Sequence, residues 1–302
     1  MTALRAADDA PAPSMAARIK ELAGFVAPTT LVTALFVYFG YVGTRARFEY
    51  FGLYLDLTDL SNQDLLMYGL EVAYVPAALI FLVLLLAIAA HAAITWLSAS
   101  PGRDGVVRIA AGALALAGLL LTARAVVGML VADVSRHELR GTTAVALACG
   151  PALIAYGGWI VARQRPTERF TTWYHGPVIV ALRRMTAIAV GGLVLAGLFW
   201  AANSFAAGYG ANRGYQDALR LPGRPVVVLD TREPLAGLPS GVTETRLTAD
   251  KDRKFQYRYS GLRLLLESGK RLFLVPEKWT TESNTLVVPY DDAVRVQLIP
   301  VL

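Results

Sequence analysis

Residues 106–131 read VVRIAAGALALAGLLLTARAVVGMLV, with two charges, Arg108 near one end and Arg124 in the interior. A helix of this length rises about 39 Å at 1.5 Å per residue, enough to cross ~30 Å of hydrocarbon. A helix packed in a water-soluble domain shows charged or polar residues on one face every turn or two. This stretch has no such face and reads as a membrane span.

Working outward, four more segments have the same character: roughly 23–43, 66–97, 142–162 and 178–207. Each reaches the ~20 residues a span requires. The whole chain of 302 residues is 55% hydrophobic and 17% charged, against about 25% charged in soluble domains. The expectation is an α-helical membrane protein with five transmembrane helices and a small C-terminal β-rich extracytoplasmic domain. Its parts are a tail at 1–22, a five-helix domain at 23–207 and an exported domain at 208–302. The first apolar run is too long for a signal-peptide core and ends at YFGYVGTR, without a small-residue cleavage site.

Basic residues orient the spans. With the N-terminus inside, the cytoplasmic segments hold Arg5, Arg18, Lys20, Arg103, Arg108, Arg163, Arg165, Arg169, Arg183 and Arg184. The short outer loops hold Arg45, Arg47, Arg136 and Arg140. The positive-inside rule then gives an N-in, C-out protein of the cell (inner or plasma) membrane. The net charge of +6 mostly reflects that cytoplasmic excess. Residues 208–302 carry fourteen Lys/Arg against eleven Asp/Glu, too balanced for a nucleic-acid footprint. The partners expected are the lipid bilayer and an envelope protein or a second copy of the chain, with no nucleic acid.

Between the first two spans lies RARFEYFGLYLDLTDLSNQDLLMYG, residues 45–69. Ser61 with Asp64 three residues on fits a capping box, so a helix should start near Asn62 and run to Leu97. The aromatics, Phe48 and Phe51 among them, suit a membrane interface. The stretch reads as an aromatic anchor and helix start, with a ligand or partner site as the alternative. Asp56, Asp59 and Asp64 are candidate cation ligands, but they lack the spacing and central glycine of a calcium loop.

The segment YFGLYLDLTDLSNQDLL, with the tail strings YRYSGLRLLLESGKRLFLVPEKW (257–279) and DDAVRVQL (291–298), resembles uncharacterised bacterial multi-pass membrane proteins. These carry an aromatic YFG…LSxQDxL loop after the first span and a β-rich tail. The resemblance implies architecture and brings no catalytic residue with it.

In the tail, glycines at 208, 210 and 214 punctuate an exit from the bilayer, and the apolar runs shorten to strand length. Val226–Asp230, Gly261–Glu267, Lys270–Val275, Leu286–Val288 and Val294–Leu298 read as strands, with Ser268-Gly269 as a hairpin link. The only cysteine, Cys149, lies in the fourth span, so the tail holds no disulfide. A core this small is marginal by itself. It is expected to rest on the 45–60 loop through apolar contact, with Lys251, Arg253 and Lys254 facing Asp56, Asp59 and Asp64.

No GxSxG elbow, HExxH or Walker A loop is present, and the three histidines and one cysteine have no zinc spacing. No cofactor or metal is expected. Arg124 either snorkels to the headgroups or pairs with Glu71 near the outer end of the second span. His91 reads as an interfacial or packed histidine. Small residues at Ala187/Gly191, Gly192/Ala196 and Ala111/Ala115 are expected at helix crossings. The reading is a non-enzymatic integral membrane protein displaying an interaction module, an envelope scaffold or accessory subunit. The alternative is a transporter or channel subunit whose tail gates or assembles the pore.

Overall fold

The computed structural model describes residues 15–99, 102–131, 133–134, 137–163, 177–247, 254–280 and 282–301. The expectations that rested on Arg5, Arg136, Arg165, Arg169, Lys251 and Arg253 lie outside the described residues. Among those described, five long helices precede a six-stranded antiparallel sheet. They are α1 (Met15–Glu49), α2 (Asn62–Ser98), α3 (Asp104–Leu130), α4 (Thr142–Arg163) and α5 (Pro177–Leu219). Four helices are long and apolar enough to cross a membrane: α2, α3, α4 and the Ile179–Leu219 part of α5.

The capping box forms as its residues imply. The Ser61 side chain accepts the Asp64 N–H, and the Asp64 carboxylate accepts the Ser61 N–H at 3.0 Å. Thus α2 starts at Asn62, with an acid in its first turn where the helix dipole favours one. It then continues as one helix past Pro76 to Ser98.

The most extensive helix contacts run in the order α3–α4–α5–α1–α2, with the C-terminal part of α2 also meeting α3 and α4 through His91, Ile94 and Leu97, and the closest crossings are made by glycine. A Cβ built on Gly69 of α2 would lie 1.8 Å from the Phe36 carbonyl oxygen of α1. One on Gly210 of α5 would lie 1.9 Å from the Gly43 carbonyl oxygen, also of α1. In lipid no hydrophobic force drives helices together, so close backbone approach supplies the packing. Ala111 and Ala115 meet Gly157 of α4 as expected, but Gly191 and Gly192 face open space. The contacts of α5 fall instead at Gly197, Gly210 and Gly214.

The sheet contains β1 (Val226–Thr231), β2 (Thr243–Arg246), β3 (Tyr257–Ser268), β4 (Arg271–Pro276), β5 (Leu286–Pro289) and β6 (Val294–Ile299). Their order is β5-β4-β3-β1-β6, with β2 added beside β3. One edge of β3 pairs first with β2, at 257–260, and then with β4, from 262 onward. Gly261 sits at the change of partner with φ +87°, a conformation that favours glycine. The hairpin between β3 and β4 turns on Gly269 and Lys270, both at positive φ, and Ser268 pairs with Arg271. That is the type I′ signature, one residue later than the Ser268-Gly269 link expected. β2 was not foreseen, because its TETR sequence is exposed throughout and carries no apolar signal.

Candidate functional site

β4 reads RLFLVP and is buried on both faces. Leu272 and Leu274 enter a core with Val227, Leu229, Tyr259, Leu262 and Val288. Phe273 and Val275 point the other way, toward the helices. Phe273 packs with Phe48, Leu53 and Leu55, while Val275 packs with Phe51 and Leu221. Phe48 and Phe51 are 4% and 1% exposed, so the loop forms a floor under the sheet. Trp279 meets Phe51 edge-on with centroids 5.0 Å apart.

Polar contacts fix the register of this seat. The Thr285 hydroxyl donates to the Phe51 carbonyl oxygen at 2.7 Å. Arg271 reaches the Leu57 carbonyl oxygen at 3.4 Å. Asp59 lies over the hairpin, where a Cβ on Gly269 would come 3.0 Å from the Asp59 Cβ. On the α1–α5 side, Asp217 accepts from Arg47 at 2.5 Å and from Arg224 at 3.1 Å. Arg263, 4% exposed, donates to the Arg224 carbonyl oxygen and pairs with Glu277 at 2.9 Å. One chain of charge-assisted bonds therefore runs from α1 through the end of α5 into β3.

The expected contact of Lys254 with Asp56, Asp59 and Asp64 is replaced by this arrangement. Asp59 sits at the far end of β3 from Lys254, and the eleven steps between Tyr257 and Ser268 span about 36 Å in a straight strand. Lys254 lies over the Phe255 ring instead, its Nζ 6.0 Å from the centroid. Asp56 is exposed, and Asp64 is engaged in its cap. Among the described residues no group of His, Cys, Asp and Glu is arranged to hold a metal ion.

Nor do Glu71 and Arg124 meet. Glu71 accepts from the Tyr209 hydroxyl at 2.7 Å and from Arg213, both on α5. Arg124 pairs with Glu138, in the α3–α4 connection, and Glu138 also accepts from the Thr143 hydroxyl. α2 meets α3 and α4 around its C-terminal residues His91, Ile94 and Leu97, whereas Glu71 and Arg124 lie toward the other end of their helices, where each charge finds its own nearer neighbour.

Within the sheet, Asp230 is a feature that the sequence reading missed. It is fully buried in β1, directly opposite Arg258 of β3 and Arg295 of β6. Arg258 donates at 2.8 Å and Arg295 at 2.5 Å. Burial by itself would push this carboxyl up, but the two guanidinium groups outweigh it and hold it below the usual carboxylate range. The one signal in the sequence was an acid closing the apolar run VVVLD.

What these residues do chemically is hold one segment against another: aromatic contact under the sheet, carboxylate–arginine pairs beside and within it. No family model matches the sequence, and neither a curated protein nor a solved structure matches it.

Proposed function

We propose that the chain is a five-span protein of the cell membrane, N-terminus in and C-terminus out, that presents its sheet on the outer surface to an envelope partner. It acts as a scaffold or accessory subunit and works by contact. The observation that carries this reading is the seat itself. A tethered module needs only a flexible stalk, whereas here α5 continues to Leu219 and the sheet is bolted to the loop, α1 and α5. A rigid mount fixes the direction in which the sheet's free edges point. Those edges belong to β5 and β6, the two ends of the strand order, and to the short β2 beside β3. β6 adds exposed Leu298 and Ile299, and an exposed strand edge is a template for pairing.

The helix α1 supports the fifth span: it is 35 residues long and lies against α2 and α5. The count of basic residues and the likeness of the 45–69 loop to multi-pass bacterial proteins support the orientation and the class.

Truncation after Leu219 tests the function. The expected result is a chain that still inserts but no longer co-purifies its partner from native membrane in mild detergent. Retention of a solute-dependent phenotype by the truncated chain would overturn the reading and favour a transporter or channel subunit. A reporter fused after Val301 should behave as exported; a cytoplasmic signal there would overturn the orientation.

A further inference from the structure

At the sheet end of the bundle, α4 and α5 part to leave a cavity of about 300 Å³. Its walls are Glu138, Arg140 and Gly141 from the α3–α4 connection, Thr143 from α4, and Trp200, Asn203 and Ser204 from α5, among others. That volume lies at the lower end of ligand pockets and suits a headgroup-sized guest.

The donors in this wall are not spent on the protein. Arg140 has no ion-pair partner among the described residues, unlike Arg124 nearby, which Glu138 holds. Several helical hydroxyls in this chain donate to the carbonyl one turn back: Thr33 to Thr29, Ser98 to Ile94, Thr122 to Gly118. The Ser204 hydroxyl makes no such bond. Asn203, also in the wall, uses its oxygen to accept from Tyr38 at 3.1 Å, and that bond does not engage its amide N–H groups. The one acid in the wall, Glu138, is already satisfied by Arg124 and Thr143. With Arg124 and Arg140 positive against Glu138, the site carries one net positive charge.

We infer that this cavity binds a phosphate group, with Arg140, Ser204 and the Asn203 amide as its donors. A tetrahedral anion has several acceptor oxygens and matches a guanidinium, a hydroxyl and an amide converging from two elements. The depth favours phosphate carried by a lipid. α4 has 22 residues and rises about 33 Å, close to the hydrocarbon thickness, so the cavity beside its first turn falls at headgroup level. Below it, α5 exposes Leu195 for an acyl chain. Trp200, at the lip, belongs at that depth as well.

The test uses the full chain in detergent, titrated with phosphatidylglycerol, with inorganic phosphate and with a phosphate-free diglucosyl diacylglycerol, thermal stability being read at each step. Phosphatidylglycerol should stabilise the protein saturably. Arg140→Gln, at an exposed position that leaves the fold intact, should weaken that binding about tenfold or more, the loss of a charge-assisted contact. Ser204→Ala should weaken it less, and Arg140→Lys should recover part of the loss. An equal, Arg140-dependent response to inorganic phosphate would show that the free anion is the ligand. An equal response to the glycolipid, a response indifferent to Arg140→Gln, or no saturable response to either phosphate source would overturn the proposal.

Discussion

Phe51→Ala should unseat the sheet without unfolding it. Phe51 is 1% exposed and packs with Leu221, Val275 and the edge of Trp279, so truncation removes a buried ring from the centre of the seat. Phe→Ala in a packed core costs about 3–5 kcal/mol. The lower end applies here, because the loop around Gly52 has room to settle into the vacated space. At about 1.4 kcal/mol per decade, a loss of 3 kcal/mol raises the fraction of unseated molecules roughly a hundredfold. Hydrogen exchange in detergent reads that fraction directly. Amides of the 53–58 turn and of Leu221–Arg224 should exchange about a hundredfold faster. Val227 and Leu262, whose side chains lie in the opposite core, should stay protected. A change smaller than about fivefold at the seat, or equal loss of protection across β1 and β3, would refute the reasoning.

Asp230→Asn should destabilise the sheet by about 1.5 kcal/mol, the lower end for hydrogen bonds to a charged group, since Arg258 and Arg295 keep contact with water. The same residue sets an acid limit. Its folded carboxyl titrates below the unfolded value, so its contribution is complete above pH about 4. It is lost as pH falls through the lower, folded value, and a denaturation series in the Asn variant should lack that loss. In double-mutant cycles, Arg124→Gln with Glu138→Gln should show a coupling of about 1 kcal/mol. Arg124→Gln with Glu71→Gln should be additive, and coupling in the second pair would contradict the helix order.

The four helices long and apolar enough to cross a membrane were legible because lipid tolerates only long apolar runs, and the start of α2 was legible because Ser61 and Asp64 state it chemically. Partner choice was not. Only the way the helices pack, which no local signal encodes, sends Glu71 to Arg213 and Arg124 to Glu138. The glycines at 208, 210 and 214 were half legible for a related reason. They read only as an exit from the bilayer, and their packing role was not visible: Gly210 and Gly214 are contact surfaces against α1, and α5 runs on to Leu219. That the tail would rest on the aromatic loop followed from a small core without disulfides. Which end of the sheet would touch it depended on where the hairpin at Gly269 points, and charge matching to Lys254 was too weak a guide. Asp230 escaped notice because its two arginines lie 28 and 65 residues away and meet it only through strand register.

Cysteine crosslinking in a Cys149→Ala background tests the seating of the sheet most directly. A Cβ on Gly269 falls 3.0 Å from that of Asp59, and a small adjustment brings the pair into the 3.5–4.5 Å range of disulfides. The account predicts that Asp59→Cys with Gly269→Cys links rapidly and nearly completely under mild oxidation, while Asp59→Cys with Lys254→Cys does not. Absence of the first link, or equal rates for both pairs, would mean that the sheet moves freely above the helices and would contradict the account.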